Sequence, residues 1–161
     1  MGETPPWQIG PARPDQHSRI LALLPRLADF EIPAHREARH LWEADAAQIK
    51  EYFAGKTKHL QLLCASTGDD QIAGVAVFAL RPELLTDAPS AHLEALAVDA
   101  AFEGRGVASA LIDACHAAAQ TLGARSMSLH VFDTNQRALR FYEHKGYKPE
   151  LRRCIKWFEE P

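Results

Sequence analysis

The stretch His92-Leu93-Glu94-Ala95-Leu96-Ala97-Val98-Asp99-Ala100-Ala101-Phe102-Glu103-Gly104-Arg105-Gly106-Val107-Ala108 decides how this chain is read. Residues 91–98 have the composition of a strand. After residues 99–103, two glycines flank Arg105 and open a helix. On that helix Val107, Ala108, Leu111, Ile112, Cys115 and Ala119 recur at helical spacing, and Gly123 stops it just past Leu122. Glycines at 104 and 106 let the backbone turn tightly and approach a ligand with no Cβ in the way. The helix start presents unpaired N–H groups and the positive end of the helix dipole, which suits a phosphate. Arg105 adds a charge-assisted contact.

Two rival phosphate motifs fit less well. A P-loop requires a Lys-Ser/Thr pair, which this segment lacks. Gly104, Gly106 and Ser109 approach a dinucleotide fingerprint, but that motif follows its strand almost directly and sits in a repeated βαβ array. Here residues 99–103 intervene and no such array is legible. Taken alone, the two glycines fit a plain helix start with no ligand equally well.

Outward from the loop, period and punctuation predict the other elements. A first strand is expected over 7–12, and a helix capped by Asp15 over 15–29, with Ile20, Leu23, Leu24 and Leu27 on one face. A second helix is expected over 44–53, ending before Gly55. Strands over 59–66 and 71–80 flank the turn signal Gly68-Asp69-Asp70. Beyond the central helix come a strand over 126–132, a helix over 135–145 and one or two strands over 147–158. The order predicts an α/β domain with a mixed sheet, not a regular βαβ alternation.

Composition bounds the function. The 161 residues fit one domain, 1–161, with 47% hydrophobic and 24% charged residues. No apolar run reaches the roughly 18–20 residues that span a bilayer, so no membrane is expected. The N-terminus lacks the features of a signal peptide, and Pro6 stands where acylation of Gly2 would call for Ser or Thr. Cys64, Cys115 and Cys154 read as thiols in a reducing compartment, which predicts a cytoplasmic protein. Neither the cysteines nor the eight histidines show metal-ligand spacing, so no metal is predicted. A net charge of −3 argues against nucleic acid as a partner.

With these residues in view, the segment 92–108 resembles the central motif of the GCN5-related N-acetyltransferases (GNAT), [QR]-x-x-G-x-[GA] after a strand ending in an apolar-Ala-Val step. Downstream, Val131, Asn135, Ala138 and Phe141-Tyr142-Glu143-His144-Lys145-Gly146-Tyr147 are similar to the family's V-x-x-x-N-x-x-A-x-x-F-Y-x-x-x-G-F/Y. The resemblance covers about 91–156. It implies the GNAT acyl-CoA N-acyltransferase fold, a central mixed sheet with helices on both faces. One position departs from the pattern: Glu103 stands where the family prefers Gln or Arg. A carboxylate turned inward would repel a diphosphate, so Glu103 is expected to turn outward, at some cost in cofactor affinity.

The resemblance further implies acetyl-CoA as co-substrate, lying between two splayed parallel strands. Leu96, Ala97 and Val98 would offer backbone to the pantetheine arm. Gly104, Arg105, Gly106, Val107, Ala108 and Ser109 would hold the diphosphate, and Asn135 would contact the arm. Tyr142 matches the tyrosine that protonates the leaving thiolate; by periodicity alone it is a core aromatic of an amphipathic helix. Homodimers are common in the family, and the residues add no separate evidence for one.

Acetyl transfer needs a neutral amine. A lysine-like ammonium with a pKa near 10.4 must give up its proton at a cost of about 4.6 kcal/mol at pH 7. Period-two alternation puts His92, Glu94, Leu96 and Val98 on one face of their strand. Glu94 is the first choice of base and His92 the second, each able to work through water. Their plain readings are a polar patch and a solvent-facing strand end. A backbone N–H near Val98 would stabilise the oxyanion. No cysteine is placed as a nucleophile, so direct transfer to a small-molecule amine in a ternary complex is expected. The alternatives are a protein or peptide acetyltransferase and a non-catalytic acyl-CoA sensor. Phe30, Glu31, His35, Trp42 and Glu43 are candidates for the acceptor pocket, with ordinary packing as the other reading.

Overall fold

A computed structural model describes residues 6–159. Gly2, weighed above as an acylation site, lies outside the described residues. Among the described residues, five strands form one sheet in sequence order: β1 (Trp7–Pro11), β2 (Leu60–Thr67), β3 (Ile72–Pro82), β4 (Pro89–Val98) and β5 (Met127–Leu129). The first four pair antiparallel, while β4 and β5 run parallel. The helices α1 (His17–Leu23) and α2 (Glu43–Phe53) precede β2; α3 (Val107–Thr121) links β4 to β5, and α4 (Gln136–His144) follows. A mixed sheet with helices on both faces is what the sequence predicts.

Two apolar layers sandwich the sheet. Ile20, Leu24, Ile49, Leu62, Val75 and Val77 fill the side covered by α1 and α2. Phe78, Leu93, Val107, Leu111, Ile112 and Cys115 fill the side covered by α3. Gly74 sets how closely α3 approaches, because a Cβ there would lie 3.0 Å from the Ala97 carbonyl, from Leu111 and from Val107. No helix among the described residues is long and apolar enough to cross a membrane.

The structure differs from the sequence reading in four places. The helix expected over 15–29 is α1 framed by 3₁₀ turns at Pro14–Gln16 and Leu24–Ala28. Pro25 has no N–H to donate to the carbonyl four residues back, which ends the α geometry. Asp15 does not cap; the Gln16 side chain accepts the Arg13 N–H at 2.9 Å instead. The strand expected over 126–132 pairs only through Met127–Leu129, because residues 130–132 turn away from β4. No strand forms over 147–158. Pro149 interrupts the donor series there, and the tail runs past the interhelical loop, where Trp157 stacks on His35 with ring centroids 5.1 Å apart.

The fourth difference bears on the site. Period-two alternation fails in β4, because Val77 pairs with Ala95 while the next residue, Phe78, pairs with Leu93. Glu94 is the extra residue of a β-bulge. Ala91 and Leu93 therefore face α3, whereas Ala95 and Ala97 face α1 and α2. His92 pairs with Ala79, which belongs to the α1/α2 layer, while Leu96 and Val98 pack on the α3 side. His92 and Leu96 thus do not share a face, contrary to simple alternation.

Candidate active site

The parallel pairing of β4 with β5 covers only Ala91↔Met127, His92↔Ser128 and Leu93↔Leu129. Beyond it the strands part around a cavity of about 660 Å³. Its walls include Leu93–Val98 of β4 and residues 129–132 beyond the β5 pairing. One end reaches the glycine loop and the first turn of α3; the other reaches Phe30, Leu41 and Asp45 on the α1/α2 side.

The loop geometry follows from its residues. Asp99 accepts the Ala101 N–H at 2.8 Å and caps a short 3₁₀ turn, Ala100–Phe102. Gly104 and Gly106 then adopt φ of +70° and +81°, left-handed values that disfavour a Cβ. The helical ladder of α3 begins with the Ala110 N–H donating to the Gly106 carbonyl at 3.0 Å. The amides of Val107, Ala108 and Ser109 precede that ladder, and these residues line the cavity. Unpaired amides at a helix start beside an open cavity fit a diphosphate.

Of the residues predicted to bind the cofactor, Leu96, Ala97, Val98, Gly104, Gly106, Val107, Ala108, Ser109 and Asn135 all line this cavity. Arg105 does not; its guanidinium sits over the Phe102 ring, 5.7 Å from the centroid. Asn135 also caps α4, its Oδ1 accepting the Ala138 N–H at 3.1 Å. Glu103 stays exposed, as expected, but at the rim of the cavity rather than away from it. It lines the cavity, where Arg26 and Arg137 hold its carboxylate, the latter at 3.1 Å. Two guanidiniums compensate the charge that made an inward carboxylate unfavourable.

Glu94 and Tyr142 line the cavity, but His92 does not. Arg81 grips the Glu94 carboxylate at 2.7 Å. Burial pushes the Tyr142 phenol up to about 12, with the Cys115 thiol adding to the effect, so the phenol keeps its proton at neutral pH. His92 is buried, with Nδ1 2.8 Å from the Ser128 hydroxyl. Burial first, then the charges of Arg81 and His130, bring its pKa down to about 4, so the ring is neutral.

Sequence reasoning missed several lining residues. His130 is the histidine of the lining, and its ring meets His92 edge-on at 4.7 Å. Asp45 stands at the acceptor end, where burial and then the charge of Glu94 push its carboxyl up to about 7. Of the five acceptor-pocket candidates only Phe30 lines the cavity, whereas Glu31, His35, Trp42 and Glu43 do not. Trp42 packs on the α1/α2 core, and Arg39 approaches Glu43 at 3.7 Å. The signal for His130 was its place two residues past Ser128, at the end of a strand that flanks the expected ligand gap. Asp45 carried no comparable signal.

Comparison with known proteins agrees with this architecture. The profile of the acetyltransferase (GNAT) family matches residues 24–147. The chain belongs to that family and is an enzyme of the N-acetyltransferase class. Similar solved structures include AAC(6')-Iy in complex with the bisubstrate analogue CoA-S-monomethyl-acetylneamine, with TM-score 0.71 and 22% identity over 96% of this chain and 99% of that one. Another is the aminoglycoside 6'-N-acetyltransferase AAC(6')-Ih from Acinetobacter baumannii, with TM-score 0.70 and 20% identity over 96% and 99% of the two chains. A third is a ribosomal-protein-alanine N-acetyltransferase from Brucella melitensis biovar Abortus 2308, with TM-score 0.69 and 16% identity over 95% and 99%. At these identities the likeness is one of fold.

Proposed function

We propose that the chain is a single-domain, acetyl-CoA-dependent enzyme that acetylates a primary amine of a small molecule by direct transfer in a ternary complex. The observation that carries this reading is one continuous cavity. It runs from the α3 amides, through the gap between β4 and β5, to two carboxylates, Asp45 and Glu94. An anion-binding end and a cation-binding end therefore meet across a gap walled by strand backbone.

Acetyl-CoA supplies the reactive thioester. The amides of residues 107–109 receive its diphosphate, and the edge of β4 over Leu96, Ala97 and Val98, whose last carbonyl already accepts Arg26 Nε, pairs with its arm. Glu94 attracts the acceptor ammonium and takes its proton through water, with Asp45, only partly ionised near neutral pH, beside it. The freed amine forms the C–N bond as the C–S bond breaks. Tyr142, which keeps its proton at neutral pH, gives it to the departing thiolate and is restored by the proton that the new amide nitrogen sheds. His92 is set back from the cavity behind His130 and positions that ring rather than touching the substrate.

The test is a pair of measurements. Acetyl-CoA should raise the melting temperature, and free thiol should appear with at least one small primary amine in a broad panel. Turnover with peptide amines only would replace the small-molecule reading. Stabilisation without turnover on any amine would replace the enzymatic mechanism by that of an acyl-CoA binder.

A further inference from the structure

Glu103 sits at the meeting point of three elements. Arg26 reaches it from the 3₁₀ turn after α1, and Arg137 reaches it from the first turn of α4. Both guanidiniums contact the same oxygen, Oε1, with Arg137 Nη1 at 3.1 Å. Arg26 is fixed further by Asp29 at 2.7 Å and by its Nε donating to the Val98 carbonyl at 3.2 Å. All three residues line the same cavity as the α3 amides, and Glu103 directly precedes the two left-handed glycines. A guanidinium binds carboxylate and phosphate oxygens through the same planar fork. The mouth of the cavity therefore has the cations of an anion site and supplies its own anion.

We propose that Glu103 is an internal competitor for the phosphates of coenzyme A. Before the cofactor arrives its carboxylate holds Arg26 and Arg137; binding exchanges that carboxylate for phosphate oxygens. This rests on the acetyl-CoA reading and goes beyond it. It assigns Arg26 and Arg137 as phosphate ligands and Glu103 as the residue that limits cofactor affinity. The alternative role for Glu103 is a staple that merely orients the two arginines. Ion pairs as exposed as these contribute little by themselves. A carboxylate left beside a diphosphate repels more than one charge, so competition outweighs orientation.

The measurement is calorimetric titration of coenzyme A, and separately of inorganic pyrophosphate, into the wild type, Glu103→Gln, Arg137→Ala and the double variant. Thermal unfolding serves as a check that each variant is folded. Glu103→Gln should bind coenzyme A about tenfold more tightly, a change of about 1.4 kcal/mol. Arg137→Ala should bind about tenfold more weakly, and its loss should be larger in the Glu103→Gln background, where Arg137 starts uncommitted. Pyrophosphate should follow the same order. Equal or weaker binding by Glu103→Gln would overturn the competition, and so would an unchanged affinity in Arg137→Ala, which decides the matter alone if the Gln variant does not fold. A wild type that binds no coenzyme A would remove the acetyl-CoA reading itself, an outcome distinct from either.

Discussion

His92 Nδ1 and the Ser128 hydroxyl lie 2.8 Å apart across the last stretch of parallel pairing between β4 and β5, one residue before that pairing ends at Leu93 and Leu129. The contact places His92 on the α1/α2 face, satisfies a buried ring nitrogen, and leaves His130, two residues beyond Ser128, as the histidine that meets the cavity.

The pH dependence of stability should carry two opposed slopes. His92 titrates near 4 in the fold against an ordinary 6.5, so the unfolded chain takes up its proton first, and this contribution is lost as pH falls from about 6.5 towards 4. Asp45 titrates near 7 against 3.8, so the fold keeps a proton that the unfolded chain has released, and stability falls as pH rises through that range. Asp45→Asn removes the second slope. Its advantage over the wild type should be near zero at pH 4 and about 1–2 kcal/mol at pH 7.5, read from urea midpoints at both pH values. A constant difference would mean that Asp45 does not titrate as its burial implies.

Tyr142→Phe removes a proton donor and little volume. Turnover should fall by about 10²-fold, with the affinity for coenzyme A changed less than about twofold. Stopped turnover assays paired with calorimetry separate the two, and unchanged turnover would remove Tyr142 from the mechanism.

Glu94→Gln keeps the shape of the bulge residue but loses its charge. With Arg81 left facing the acceptor end, kcat/KM for a cationic amine should fall by about 10²-fold or more. The amide should also flatten the acid limb of the pH–rate profile. A full acid limb in this variant would assign the proton transfer to another group.

Gly74→Val tests the seat of α3. Its side chain would press on the Ala97 carbonyl, Leu111 and Val107, each already 3.0 Å from a Cβ at that position. The strain should cost about 1–3 kcal/mol and lower the melting temperature by several degrees. Coenzyme A should bind more weakly too, because the displaced first turn of α3 carries the amides of Val107 and Ala108. Wild-type stability and affinity together would show that α3 is not held by this contact.

Much of the fold was legible because it is written in local pattern. Gly104 and Gly106 marked the loop, the Val107-to-Ala119 spacing marked α3, and the turn at 68–70 marked the β2–β3 hairpin. Pro25 and Pro149 showed where prediction should have stopped a helix and a strand, since a missing N–H is visible in the sequence. Simple alternation misplaced His92 relative to Leu96 because a bulge inserts one residue at Glu94, and which strand absorbs it depends on the partner β3.

The sequence by itself determined the order of elements as far as α4, the phosphate-type loop, and the place of Asn135 and Tyr142 in the cavity lining, since both lie in a motif with fixed spacing, while Glu94 was legible only as a polar residue of β4. Only the tertiary structure decided which groups meet across the gap. Asp45, His130, Arg26 and Arg137 come from separate elements, and the Glu103 carboxylate is held at the cavity rim because Arg26 and Arg137 reach it from two other elements. Side-chain direction at such a place is set by electrostatic partners distant in sequence, so no local pattern records it.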